Sequence, residues 1–289
     1  MKKLLKTFLR GMFMGAADIV PGVSGGTIAL VTGIYERFIL AINNLLDIIV
    51  IGLKLIFQKN SRKDLRPKLR EAVKNNDAKF LATLATGGTI SFLIISRFIL
   101  NAMQSHPSYI FSFFSGLILA SAVMIYGHIK KPGWKLMATG VLGFLISLAV
   151  SSFNTLGTTH ALPVIFFSGF FGVCAMLLPG ISGSFVLLIL GQYEHMLSVL
   201  KNLEVLTIFV FVTGMAAGGL LMSKVVSYFL KNHEQKTISF LVGLMLGGLY
   251  LPLKNVVSSQ TVWSPVTILG VGLSGILGIL LVNALERMK

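Results

Sequence analysis

The chain has 289 residues, 54% hydrophobic and 12% charged, with a mean hydropathy of +0.83, where an ordinary soluble domain carries about 25% charged residues. That excludes a soluble globular enzyme, because the bunched charges leave apolar runs of about 20 residues, the length that spans bilayer hydrocarbon. A net charge of +15 would point to nucleic acid in a soluble chain, but here the basic residues lie between apolar runs, where they set topology and meet phospholipid headgroups, so nucleic acid is not an expected partner.

The N-terminus carries Lys2, Lys3, Lys6 and Arg10, followed by a stretch that Asp18 and Pro21 interrupt. It reads poorly as a cleaved signal, so the protein is expected to begin at residue 1. Segment 11–34 is apolar but broken by Pro-Gly and further glycines, and 38–57 carries Asn43, Asn44 and Asp47. Six ordinary spans are expected at about 80–101, 109–129, 134–153, 204–230, 237–257 and 263–284, with a second broken segment at 163–196. The broken segments suit re-entrant hairpins, and 38–57 an inserted interfacial helix. Cys174 lies alone in an apolar run and the five His are scattered, so no disulfide, metal or other cofactor is expected.

The chain repeats itself. Residues 21–36, PGVSGGTIALVTGIYE, align without a gap on residues 179–194, PGISGSFVLLILGQYE, with eight identities in sixteen positions. Further on, Gly87/Gly214, Ser96/Ser223, Arg97/Lys224 and Gly116/Gly243 align at an offset of 127 rather than 158, which puts a 31-residue insertion between about 40 and 80. The expected organisation is one membrane domain over 1–289. Repeat 1 covers 11–153, with a hairpin at 11–36, the inserted helix and a basic cytoplasmic loop over 38–79, and spans over 80–153. Repeat 2 covers 163–285, with a hairpin at 163–196 and spans over 204–284.

The tract 54–79 holds nine Lys/Arg against three acids and marks the cytoplasm, as do Lys130, Lys131 and Lys135. If the broken segments enter and leave by the same face, 80–101 runs outward, its counterpart 204–230 runs inward, and both termini are cytoplasmic. The fold class that follows is an all-α polytopic membrane protein of two inverted-topology repeats, each with a re-entrant helical hairpin whose PG-x-SG tip reaches the bilayer midplane. That is a transporter architecture.

Pro ends a helix and Gly permits a tight turn, so each tip exposes backbone N–H groups at the start of a returning helix, which together with the helix dipole favour a phosphate or another anion. The substrate-binding candidates are Pro21, Gly22, Ser24, Gly25, Gly26 and Thr27 in the first tip and Pro179, Gly180, Ser182, Gly183 and Ser184 in the second. Arg97 and Lys224, at equivalent positions in apolar spans, are candidates to meet a phosphate on either side, against snorkelling to the interface. Asp18, Glu36 and Glu194 are candidates for coupling or gating. Asp18 has no acidic counterpart, since Met176 takes its place in the second half.

The stretch MGAADIVPGVSGGTIALVTGIYE at 14–36, with its echo MLLPGISGSFVLLILGQYE at 176–194, resembles the PopT-type polyprenyl-phosphate transporters, once a bacterial family of unknown function. The resemblance covers nearly the whole chain. It implies a flippase that returns undecaprenyl phosphate across the bacterial cytoplasmic membrane for cell-wall synthesis, working on a polyprenyl-phosphate lipid among membrane phospholipids, and it leaves room for a homo-oligomer. Two other readings stand beside it. One is a transporter of a small soluble anion. The other is an undecaprenyl-pyrophosphate phosphatase of the BacA type, which the chain also resembles, but Gly25 and Gly26 stand where that element has Arg and Ser, and a Glu-x-x-x-Glu run is missing.

Overall fold

The computed structural model describes residues 2–20, 22–57, 62–74, 76–129, 133–153, 159–259 and 263–286, and among them the only regular structure is helical. In chain order the elements are α1 (Lys2–Ile19), α2 (Gly25–Val31), α3 (Tyr35–Phe57), α4 (Arg62–Lys74), α5 (Ala78–Ser105), α6 (Pro107–Gly127), α7 (Trp134–Ser152), α8 (Leu162–Leu177), α9 (Gly183–Ile189), α10 (Tyr193–Asn202), α11 (Val205–Gly248), α12 (Tyr250–Ser258) and α13 (Pro265–Glu286). Six stretches among the described residues are long and apolar enough to cross a membrane: 35–55, 78–105, 107–127, 134–152, 205–258 and 265–286. The chain is a multi-pass membrane protein.

Four expected spans coincide with α5, α6, α7 and α13. The expected span 204–230 falls in the first limb of α11, which breaks at His233 (φ −141°, ψ 44°), and 237–257 runs through its second limb into α12. Segment 38–57 belongs to one continuous 23-residue helix, α3, and 35–55 within it is long and apolar enough to cross a membrane. One reading of the insertion needs correcting. The basic tract is not all loop: Arg62–Lys74 forms α4, because Leu65, Leu69 and Ala72 recur at helical spacing and are half-buried while the arginines and lysines described there are exposed.

The helices meet through small residues that let backbones touch. Gly11 packs on Leu84, Gly15 on Gly88 and Gly87 on Phe8, so α1 runs parallel to α5 and ends near its middle. In the second half Gly169 packs on Phe211, Gly214 on Phe166 and Gly218 on Phe170, so α8 stands in the same way to the first limb of α11. Gly116 on Gly275 and Gly278 on Phe113 join α6 to α13; Gly243 on Gly140 and Gly143 on Phe240 join the second limb of α11 to α7. Serine hydroxyls reinforce the two seams at matching places, with Ser112 donating to Val271 O at 2.7 Å and Ser239 to Leu136 O at 2.6 Å. The bend between α5 and α6 at His106 (φ −140°, ψ 55°) has the same backbone geometry as the His233 break 127 residues later.

Helix α3 fixes the relative direction of α5 and α11. Its first turn is tied to the start of α5, because Arg37 pairs with Asp77 at 2.6 Å and lies 4.1 Å over the Phe80 ring. The same turn borders a cavity of about 580 Å³ beside Ser227 and Lys231, near the end of the first limb of α11. Further along, Leu46 meets Gly219 and Asp47 pairs with Lys224 at 2.8 Å. The start of α5 and the end of the first limb of α11 therefore lie at one level.

Candidate functional site

Both broken segments fold into the same short motif, because the residues that dictate it occur at the same places. Gly22 and Gly180 have φ of +85° and +89°, a region open to glycine and costly for other residues, and they turn the chain after α1 and α8. Ser24 and Ser182 then cap the returning helices: Gly26 N–H donates to Ser24 Oγ at 3.2 Å and Phe185 N–H to Ser182 Oγ at 3.5 Å. Helices α2 and α9 are seven residues each, and both end in a turn with a second left-handed glycine, Gly33 (φ +70°) and Gly191 (φ +63°).

The two turns touch. Ser24 Oγ donates to Leu178 O at 3.3 Å, and the Tyr35 hydroxyl donates to Leu177 O at 2.9 Å. A side chain on Gly26 would lie 3.3 Å from the Pro179 nitrogen, so glycine allows this approach without displacing the facing turn. Gly180 is wedged against the second limb of α11, where a Cβ would stand 2.5 Å from the Leu244 carbonyl and the Met245 Cα, and Ser147 of α7 donates to its carbonyl at 3.3 Å. Gly22 rests against Leu251 and Pro252 of α12.

The tips differ in what occupies them. In the first, the Asp18 carboxylate accepts from Gly25 N–H at 2.6 Å, so an internal acid side chain occupies the place where the first amides of α2 favour negative charge. Residues Gly22–Ala29 are all buried, and Thr27 Oγ1 among them has no hydrogen-bond partner. In the second, Met176 replaces Asp18 and stands beside Gly183. No hydrogen bond from the amides of Gly183 or Ser184 is found among the described residues, Ser182 and Ser184 share a hydroxyl–hydroxyl bond of 2.9 Å, and Gly183–Leu187 are only half-buried. The second tip is the open one. An apolar cavity of about 390 Å³ borders Asp18 and Gly26, walled by Val173, Leu177, Met215 and Gly219.

Of the residues singled out from the sequence, Asp18, Gly22, Ser24, Gly25, Gly26, Thr27, Pro179, Gly180, Ser182, Gly183 and Ser184 all lie in or beside these turns; Pro21 lies outside the described residues. Arg97 and Lys224 are exposed on the flanks of α5 and α11, and Lys224 is engaged by Asp47. Glu36 is exposed at the mouth of the first hairpin beside Lys231 in the 580 Å³ cavity, and Glu194 is exposed in the first turn of α10. Sequence reasoning passed over Tyr35 as a binding group. Its match with Tyr193 marked the position, but Tyr193 is exposed while Tyr35 is buried.

The profile of the VCA0040-like family, described as undecaprenyl phosphate translocase-like, matches residues 14–266. A polyprenyl-phosphate transporter of Vibrio cholerae serotype O1 is 34% identical over 245 residues, covering 85% of this chain and 76% of that protein. A polyprenyl-phosphate transporter of Staphylococcus aureus is 29% identical over 277 residues, covering 88% of each chain. No solved structure matches.

Proposed function

We propose, because the chain belongs to the undecaprenyl phosphate translocase-like family, that it moves polyprenyl phosphate, undecaprenyl phosphate in particular, across the bacterial cytoplasmic membrane and returns the carrier lipid for cell-wall synthesis. The observation that carries this reading is the meeting of two serine-capped glycine turns, one with open amides at Gly183 and Ser184. Those amides, with the Ser182 and Ser184 hydroxyls, suit a phosphate, whose charge also favours the start of a helix. The prenyl tail stays among apolar side chains and lipid, so only the headgroup has to cross. In this role the chain is a translocator and not a hydrolase, with Gly25 and Gly26 supplying close backbone approach.

The two halves act as inverted repeats with re-entrant tips near the midplane, and both termini are cytoplasmic. The parallel packing of α1 on α5 and α8 on α11, each short helix ending near the middle of the long one, supports re-entrance; the common level of the start of α5 and the end of the first limb of α11 supports inversion. Alternating access follows from rocking one half on the other about the tips. Asp18 is the group that must yield as phosphate arrives, by taking a proton or by leaving Gly25 N–H. Glu36 and Glu194 gate the two hairpin mouths, and Arg97 and Lys224 meet headgroups on the flanks.

The test uses purified protein in liposomes carrying undecaprenyl phosphate, with the outer-leaflet headgroup titrated and free phosphate assayed in parallel. The expected result is faster leaflet exchange without phosphate release, abolished in a Ser24→Ala/Ser182→Ala variant. Exchange at the wild-type rate in that folded variant refutes the tip assignment, and phosphate release refutes translocation without hydrolysis.

A further inference from the structure

The break in α11 opens a place that the tips do not account for. His233 and Lys236 line two adjoining cavities at once. One, of about 500 Å³, is a surface recess with Trp134 and Lys135 at the start of α7. The other, of about 600 Å³, is mostly apolar; Leu142, Met222, Val226 and Phe240 line it, and it reaches Leu178 at the second turn. Lys236 lies eight residues before Leu244, the residue against which Gly180 is wedged, so the groove runs about 12 Å along the helix from the surface towards the tips. Neither Lys135 nor Lys236 is ion-paired among the described residues. Lys135 Nζ lies 5.8 Å from the Trp134 ring, and Glu234 is the one acid on the recess.

The other half has the same break but not the same chemistry. Position 109, counterpart of Lys236, is Tyr109, and its ring fills the space above Gly270, where a Cβ would come within 2.5 Å of Tyr109 Cε1. Gly270 in turn matches Lys135, by the register that aligns Gly140 with Gly275 and Gly143 with Gly278 across the two seams. The framework of the fold is therefore shared, while Tyr109 and Gly270 stand at one end where Lys236 and Lys135 stand at the other.

We infer that Lys135, Lys236 and the His233 break form a second phosphate site, separate from the tips, which holds the headgroup of a polyprenyl phosphate at one membrane face while its first isoprene units lie in the groove towards Leu178. Two cations at the polar end of an apolar channel match a phosphomonoester on a hydrocarbon tail, and a diester or an uncharged alcohol would use the site less fully. Because the counterpart is closed by Tyr109, the site serves one face: the lipid is loaded or discharged there after or before its passage over the tips. This inference rests on the lipid-phosphate substrate proposed above.

The two tryptophans allow the site to be watched directly, since Trp134 lines the recess and Trp263 is the only other one. Full-length Trp263→Phe protein in nanodiscs is titrated with farnesyl phosphate, farnesol and phosphatidic acid while Trp134 emission is followed. Farnesyl phosphate should give a saturable change and farnesol one at least tenfold weaker. Lys135→Gln/Lys236→Gln should weaken farnesyl phosphate at least tenfold and leave farnesol unchanged, and Lys135→Arg/Lys236→Arg should restore binding. Equal binding of farnesyl phosphate by the Gln variant, or no response in the parent protein, overturns the site. Displacement by phosphatidic acid at equal concentration overturns the assignment to a polyprenyl phosphate. The Ser24→Ala/Ser182→Ala variant should keep the Trp134 response while losing leaflet exchange. If the parent protein binds through these lysines yet exchanges no lipid, the transport reading fails and the site stands.

Discussion

Replacing Asp18 with Asn tests whether the first tip is held by an internal anion. The Asn oxygen can still accept from Gly25 N–H, now bonded to the carboxylate at 2.6 Å, while the charge is removed. The two turns are joined through Ser24 and Leu178; for a phosphate on the Gly183 and Ser184 amides taken to lie roughly 6–10 Å from the Asp18 carboxylate, each unit of like charge costs about 1.7–2.8 kcal/mol at an effective dielectric near 20. Asp18→Asn should therefore bind a short-chain polyprenyl phosphate about 20- to 100-fold more tightly, measured by titration in nanodiscs at neutral pH. Asp18→Ala should gain affinity in the same direction but unfold more easily, because it strands the Gly25 amide, at a cost of about 1–3 kcal/mol. The reasoning is refuted if Asp18→Asn binds within about threefold of wild type, or more weakly, while keeping its thermal midpoint.

Gly180→Ala should be far more damaging than Gly22→Ala in thermal unfolding. Both carry the left-handed penalty of about 1–2 kcal/mol, but the new Cβ at 180 meets the Leu244 and Met245 backbone at 2.5 Å, whereas at 22 it meets the end of the Leu251 side chain at 2.9 Å. Gly26→Ala should slow lipid exchange severalfold, because its Cβ would press on the Pro179 nitrogen at the meeting of the tips. If Lys224 serves mainly as the partner of Asp47, the swap Lys224→Asp/Asp47→Lys should recover exchange lost in Lys224→Asp. Since the Lys224 side chain is 54% exposed, the pair should contribute no more than about 1 kcal/mol to stability.

Much of the tips was legible in the sequence. The gapless match of 21–36 with 179–194 fixed where the turns fall, and paired Ser and Gly fixed their backbone: the left-handed glycines, the capping serines and the helix limits recur at a constant spacing of 158 residues. Hydrophobic run length likewise located α5, α6, α7 and α13. The limits of such reading are equally physical. Run length does not separate an interfacial helix from a crossing one, so Asn43, Asn44 and Asp47 set the reading of 38–57, and the partner of Asp47, Lys224 in a distant helix, could not be seen there. Charge counting hid the half-buried stripe of Leu65, Leu69 and Ala72 in α4. The occupation of the first tip by Asp18 depends on side-chain geometry over seven residues, and the contrast of Lys236 with Tyr109 becomes meaningful only when both lie over the same groove.

The hydroxyls of Ser24 and Tyr35 reach consecutive carbonyls, Leu178 and Leu177, from one half into the other, and the second half sends no matching bond from Ser182 or Tyr193 among the described residues. A symmetric framework with asymmetric fastening has unequal resting populations. At about 0.5–1.5 kcal/mol for each bond, these two favour the fastened arrangement by a factor of about 5 to 150. Whatever releases them, a phosphate competing for the Ser24 hydroxyl included, shifts the population as it binds. The substrate would thus unfasten the molecule that carries it, and an empty carrier would mostly wait on one side.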